Sequence, residues 1–412
     1  MAENENLIVP NNVSNDDTNE HNKANVPNLR FGENTKYSKY KLKDLVSFGL
    51  GLTATPNYVS EGIPFLSSKN ISNDYIDFSD IKHISKDEYQ KSSKNSKPQY
   101  GDILFTRVGS NLGHPVIIET NTPFSIFVSL GFLHIKVPYV LNYYLLSWMN
   151  SENFWKQVKS KVGGSSKFNL NICWLEDFSL SIPSLKEQRK IVDLLKYIDG
   201  RIKTQSKIIN DLESLKIGIW DVYYKNMSEF NSIKLSGILV ERKEYCLKDE
   251  TYPHATLSKD GVSGKTDRYN RDFLVRDNEK EYKVTHLNDI CYNPANLKFG
   301  VICRNKFGSA IFSPIYVTYE VNKKYNVNFI EQVLTSKSFI QYIRKYEQGT
   351  VYERMSVNSD DFLKGLIKVP NIDEQNKITQ IINNINLKLQ NEKELLELYK
   401  KQKAYLLKNM FI

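Results

Sequence analysis

The chain carries one helix-opening phrase twice, and that repeat constrains its fold more than any other feature. Ile182-Pro183-Ser184-Leu185-Lys186-Glu187-Gln188-Arg189-Lys190-Ile191 returns as Val369-Pro370-Asn371-Ile372-Asp373-Glu374-Gln375-Asn376-Lys377-Ile378, in constant register 187 residues further on. A period this long exceeds that of solenoid repeats. It describes two whole domains, each followed by its own helix, and 412 residues are enough for two separate cores. Lys41-Leu42 matches Lys234-Leu235. Gly101-Asp102-Ile103-Leu104-Phe105 faces Asn288-Asp289-Ile290-Cys291-Tyr292, and Gly113 faces Gly300. Between these anchors the halves diverge, which indicates one duplicated scaffold with independently altered surfaces.

Both phrases read as helix starts. Ser184-x-x-Glu187 and Asn371-x-x-Glu374, each just after a proline, are capping-box patterns. Downstream, Ile191, Ile198, Gln205, Leu212 and Ile219 share one heptad slot, and Leu195, Ile202, Ile209 and Lys216 the other. The second copy answers with Ile378, Ile385, Glu392, Tyr399 and Leu406, then Ile382, Leu389, Leu396 and Lys403. Sustained heptads in two helices of one chain predict an intramolecular coiled coil, with the polar slots fixing register. About 40 residues at a rise of about 1.5 Å make a rod about 60 Å long. Gly200, inside the first helix, is a place where a bend is expected. Within the domains, residues 102–106, 115–119 and 132–137 read as strands. Residues 139–160 and 328–346 have helical apolar spacing.

The formal charge of +9 and a pI of about 9.0 favour a polyanionic partner. Tyr (25) and Phe (20) supply aromatic surface for cores and for stacking on bases. Cys173, Cys246, Cys291 and Cys303 lack the spacing of a zinc site, and scattered thiols fit a reducing cytoplasm. No apolar run approaches the roughly 20 residues a bilayer span needs, and Met1-Ala2-Glu3-Asn4-Glu5 does not open like a signal peptide. Residues 1–26, Asn-rich and acidic, are expected to be a disordered leader.

Catalytic signatures are weak. Gly261-Val262-Ser263-Gly264-Lys265-Thr266 is two residues short of a phosphate loop between its glycines. Glu281-Tyr282-Lys283 after Asp277 only faintly resembles a nuclease cluster. Asn293-Pro294-Ala295-Asn296 lacks the terminal aromatic that an amino-methyltransferase stacks on a flipped base. His83, His114, His134, His254 and His286 have neither triad nor metal spacing.

Polar, glycine-flanked loops make a better case for reading DNA. In the first half they offer Arg107, Ser110, Asn111, His114, Ser165, Ser166, Lys167 and Asn169. In the second half they offer Ser258, Lys259, Lys265, Arg268, Tyr269, Asn293, Asn296, Lys298, Tyr352, Arg354 and Ser356. Arg suits guanine edges and Asn adenine edges, while Lys and Ser suit phosphates. Gly109, Gly163 and Gly164 allow close backbone approach.

The doubled Pro-x-x-x-Glu-Gln-x-x-Ile helix starts resemble those of specificity (S) subunits of type I restriction–modification systems. So do Gly101-Asp102-Ile103-Leu104-Phe105-Thr106-Arg107, Asp289-Ile290-Cys291-Tyr292-Asn293-Pro294, Ser313-Pro314-Ile315-Tyr316 and the run-in Pro27-Asn28-Leu29-Arg30-Phe31. The family's Trp after the run-in is replaced by Tyr37-Ser38-Lys39-Tyr40. The likeness extends from about residue 27 to 412. It implies an α+β fold of two mixed α/β target-recognition domains (27–182 and 227–369), separated by two spacer helices (183–226 and 370–412) in an antiparallel, pseudo-two-fold intramolecular coiled coil. It further implies a non-catalytic subunit that reads a bipartite, asymmetric site in double-stranded DNA, one half-site per domain. Two methyltransferase (modification) subunits and restriction (motor-nuclease) subunits would dock on it, carrying S-adenosylmethionine, ATP and Mg, with no cofactor in this chain and no membrane contact. Two readings stay open beside it: a methyltransferase or nuclease with duplicated recognition domains, and an adaptor that recruits proteins without touching DNA.

Overall fold

A computed structural model describes residues 26–32, 35–72, 75–92, 97–108, 112–162, 169–247, 251–265, 281–349 and 355–412. The chain divides into a first unit, residues 1–208 with 392–412, and a second unit, residues 209–391. Nearly all of the expected leader lies outside the described residues.

The first unit is built on an antiparallel sheet in the order Val46–Leu50, Leu130–Ile135, Ile103–Thr106, Pro115–Ile117. The second unit repeats that order with Leu239–Glu241, Val317–Val321, Ile290–Tyr292 and Ile302–Arg304. The inner strands Ile103–Thr106 and Ile290–Tyr292 are buried along their whole length, which is why both read as unbroken apolar runs. A two-stranded ribbon leads into each long helix: Ser38–Lys41 against Ser179–Ile182, and Asn231–Lys234 against Leu366–Val369. The remaining sheets differ. The first unit has a four-stranded sheet that includes Ile63–Leu66 and Lys82–Ile84; the second has Tyr245–Leu247, Glu281–Thr285 and Ala310–Phe312 plus the hairpin Ala255–Ser258/Gly261–Gly264. The frame is thus shared and the additions are not.

The sequence anchors turn out to be backbone constraints. Gly101 and its counterpart Asn288 both have positive φ (87° and 73°), as do Gly113 and Gly300 (75° and 82°). The following aspartate closes the same turn each time. Asp102 Oδ2 accepts from Gln99 N and Asp289 Oδ2 from His286 N, both at 2.8 Å. Burial raises the Asp102 carboxyl above its ordinary range, against the lowering pull of the Gln99 amide and of His134.

The helical stretch expected over 139–160 is broken into Asn142–Met149 and Glu152–Val162, and that over 328–346 into Val327–Thr335, Lys337–Ile343 and a short turn. The same device breaks both. Ser151 Oγ donates to Trp148 O and accepts from Phe154 N (2.7 and 3.4 Å); Ser336 Oγ donates to Val333 O and accepts from Phe339 N (2.7 and 3.2 Å). One serine ends a helix and caps the next, which apolar periodicity does not reveal.

The long helices span Leu185–Asn226 and Ile372–Met410, and the first runs through Gly200 unbroken. All the heptad slots named above are buried or half-buried. Within the first unit, Asp199 pairs with Lys403 (2.6 Å), Arg201 Nη1 donates to Tyr399 Oη (3.1 Å), and Gln205 Nε2 donates to Glu392 O (3.1 Å) and to the Glu392 carboxylate. Within the second, Lys216 Nζ donates to Asn386 Oδ1 (3.3 Å). Rising numbers on one helix meet falling numbers on the other, so the coiled coil is antiparallel. Gln205 meets its own repeat counterpart, and the Asp199–Lys403 and Asn386–Lys216 pairs are repeats of each other.

Pro-x-x-x-Glu-Gln also has a physical meaning. Gln188 is buried; its Nε2 donates to Pro183 O (2.9 Å) and Tyr139 O (2.8 Å), and its Oε1 accepts from Leu141 N (2.9 Å). Gln375 Nε2 donates to Pro370 O and its Oε1 accepts from Asn326 N, both at 2.9 Å. Leu141 and Asn326 are the N-cap residues of the Asn142–Met149 and Val327–Thr335 helices, so each glutamine ties a long helix to an internal helix of its unit. The capping boxes are one-sided. Ser184 and Asn371 accept from the Glu187 and Glu374 amides, but Glu187 Oε1 is taken by Phe31 N (2.6 Å) and Glu374 by Lys377 (2.7 Å). Replacing Gln375 by Ala removes two buried hydrogen bonds and is expected to lower the stability of the second unit by about 2 kcal/mol. Chemical denaturation measures this, and no loss would show that the amide is not a fastening.

Candidate nucleic-acid interface

In the first unit the structure brings two of the sequence-selected loops together at one end of the shared sheet. Leu170 N donates to Arg107 O (2.9 Å), and Val108 bridges Asn169. The 107–114 loop is closed by Thr106 N to His114 O (3.3 Å) and Gly113 N to Thr106 O (2.8 Å). His114 and Asn169 are exposed. Ser110, Asn111, Ser165, Ser166 and Lys167 lie outside the described residues.

Arg107 points inward. It is only 7% exposed, its Nε donates to Leu170 O and its Nη1 to Val128 O, both at 3.1 Å, and burial lowers its pKa. Its guanidinium binds the two loops to the sheet. The apolar strand before it gave no sign that the side chain would turn under the loop.

The second unit repeats the arrangement with other residues. Val357 N donates to Pro294 O (3.2 Å), the counterpart of the Leu170–Arg107 bond, and Tyr292 Oη donates to Val357 O (3.0 Å). Asn293 is buried and its Oδ1 accepts from Ala295 N (3.1 Å), so that side chain shapes the turn. Asn296 is half-buried; its N donates to Asn293 O (3.1 Å), and its carbonyl accepts from Phe299 N (3.0 Å). Ser356 and Gln348 exchange two backbone bonds of 2.9 Å at the base of the loop holding Tyr352 and Arg354. Those two residues, with Arg268 and Tyr269, lie outside the described residues.

Ser258 and Lys259 stand at the tip of the hairpin, where Ser258 Oγ accepts from Asp260 N (3.1 Å). Lys259, Lys265 and Lys298 are exposed. Lys259 and Lys298 share a cleft of about 1150 Å3 with Arg304, Lys306, Lys337 and Arg344. These last four were not singled out from the sequence, although Arg304-Asn305-Lys306-Phe307 is a short basic–aromatic run of the kind nucleic-acid surfaces use.

The remaining motifs have structural places. Lys283 is buried beside Glu241 (3.4 Å) and Tyr245 Oη (3.3 Å), while Asp277 lies outside the described residues. Gly261–Gly264 is a strand rather than a loop. His286 lies between Ser309 Oγ (2.9 Å) and Glu244 (3.0 Å), a triad-like relay, but the nearby Phe307 and Gly308 amides already donate to Asn305 Oδ1 and leave no oxyanion hole there. Among the described residues no group of three or more His, Cys, Asp or Glu could hold a metal, and no helix is long and apolar enough to cross a membrane.

Residues 34–214 match the family of the type I restriction modification DNA specificity domain. Over 208 residues the chain is 27% identical to a Methanocaldococcus jannaschii protein described as a type I restriction enzyme MjaX specificity subunit. That match covers 48% of this chain and 48% of the relative, so it spans about half the length of either. The fold is that of the S subunit of the type I restriction–modification system from M. genitalium, at TM-score 0.55 and 15% identity, covering 94% of this chain and 99% of that one. A chain from a structure concerned with complex assembly and conformational transition of the type I R-M system gives TM-score 0.56 at 11% identity, covering 90% and 96%.

The Arg107→Ala substitution leaves two carbonyls without a buried donor and is expected to cost about 2–3 kcal/mol. The loss should appear in denaturation of the first unit, with Arg107→Lys recovering only part of it. A fully stable Arg107→Ala protein would refute the bracing role.

Proposed function

We propose that this chain, whose residues 34–214 match the type I restriction modification DNA specificity domain family, is the DNA sequence-specificity subunit of a type I restriction–modification complex. It reads a bipartite, asymmetric site in double-stranded DNA, one half-site per unit. The observation that carries this reading is the pair of loops repeated in each unit. Leu170 N to Arg107 O and Val357 N to Pro294 O are the same backbone hydrogen bond at the same end of the same sheet, beside stretches of sequence made of different residues. A fixed frame presenting two different polar surfaces suits two different half-sites, with phosphate contacts setting position and base contacts setting sequence.

The long helices serve as spacer and as docking surface for two methyltransferase subunits, with restriction subunits joining that assembly in the cytoplasm. Chemistry belongs to those partners, which bring S-adenosylmethionine, ATP and Mg. The chain itself turns over nothing, and purified alone with DNA and S-adenosylmethionine it should transfer no methyl group. A reading as an adaptor that never touches DNA requires no measurable affinity for duplex at any salt, whereas a specificity subunit binds and weakens steeply as salt rises.

Inserting one heptad into each long helix adds about 10 Å, close to three base pairs of duplex. The unread spacer in the site modified by the assembled complex should change by about that amount while both half-site sequences persist. Methylome sequencing of a host carrying the variant measures both, and an unchanged spacer would refute the role of the helices.

A further inference from the structure

The second unit has a basic cleft beside Gly300; at the corresponding Gly113 of the first unit the Trp155 ring fills the space. It lies against the strand Ile302–Arg304, between the tip of the Ala255–Ser258/Gly261–Gly264 hairpin and the helices Val327–Thr335 and Lys337–Ile343. Six basic side chains line it against two acidic ones, Asp260 and Glu331. Glu331 is engaged by Arg304 (3.1 Å) and Lys306 (2.7 Å), and Arg344 by Glu347 (3.2 Å). Among the described residues Lys259, Lys298 and Lys337 have no acidic partner, and Phe299 (63%) and Phe307 (43%) are exposed beside them.

The duplication shows how the cleft arose. At Gly113 of the first unit, an added Cβ would meet the Trp155 ring at 2.7 Å; at Gly300 of the second, it would meet only Ile340 Cδ1 at 3.9 Å and Lys259 Cε at 4.0 Å. The indole that fills this place in one unit is replaced by a smaller side chain in the other. Charge is reversed as well. Counting from the serine that breaks each helix pair, Lys337 stands where the first unit has Glu152; counting from the glycines, Lys306 stands where it has Glu119. The wall Leu297–Phe299 continues directly from the loop 293–296, so a nucleic-acid strand leaving that loop meets these lysines next.

We infer that this cleft is a phosphodiester anchor, specific to the second unit, that grips the DNA backbone beside the half-site read by loops 293–296 and 350–356. The inference rests on the proposed function. The ammonium groups of Lys259, Lys298 and Lys337 neutralise phosphates without distinguishing bases, and the exposed phenylalanines supply apolar surface for the sugar–phosphate edge. It gives the two ends of the reader unequal dependence on charge.

The test uses the full-length chain and a random-sequence duplex about 40 base pairs long, with affinity measured by fluorescence anisotropy across a salt series. The Lys259→Ala/Lys337→Glu double variant should bind roughly tenfold more weakly at low salt and lower the slope of log affinity against log salt by about two. Ile340→Trp, which restores the filling of the first unit, should weaken binding with no change of charge; Lys159→Ala, at the first unit's counterpart of Arg344, should leave the slope as it was. A double variant with the wild-type slope, or an equal loss of slope in Lys159→Ala, overturns the anchor while leaving the DNA-reading function standing. Wild-type protein that binds no duplex overturns the function, and the anchor with it.

Discussion

In each unit a buried carboxamide joins the long helix to the mixed α/β body, and the placing of the loops depends on that joint. Gln188 and Gln375 each satisfy a proline carbonyl behind them and the N-cap amide of an internal helix in front. A carboxamide can do this because it donates and accepts from one planar group; a carboxylate could not donate, and an ammonium could not accept. The ribbon that enters the helix, the internal helix and the sheet it covers are thereby fixed against the seam.

Much of the frame was legible in the sequence because it is written in residues whose physics is local. The heptad slots, polar ones included, are buried or half-buried as expected. The glycine and asparagine anchors mark left-handed turns, and a duplicated turn keeps its residue type when little else survives. What escaped is what depends on three-dimensional surroundings. Arg107 looked like a surface reader because arginine in a polar loop usually is one; only packing decides that it folds back onto two carbonyls. The helices broken at Ser151 and Ser336 escaped because apolar periodicity continues across the break. The basic cleft escaped because its cations come from a hairpin tip, a strand end and a helix far apart in the chain, and because the space for it comes from one indole that is missing.

The divergent parts carry their own logic. Asp102 is held by His134 in the first unit, whereas Asp289 is gripped at both oxygens by Arg242 (2.8 and 3.0 Å) in the second. The turn is preserved and the side chain that holds its aspartate is exchanged. Some polar residues are thus committed to shaping turns, as Asn293 and Ser258 are.

The first unit is completed by residues far apart in synthesis. Its core joins Ile191, Leu195 and Ile198 to Leu406, Leu407, Met410 and Phe411, and Leu29 N donates to Asn409 O (3.0 Å). The second unit, by contrast, is one uninterrupted stretch of chain. A ribosome releases the polypeptide from its amino end, so the unit whose synthesis begins first is the last able to close. Until residues 392–412 have been made, Ile191, Leu195 and Ile198 lack the apolar partners that Leu406, Leu407, Met410 and Phe411 supply.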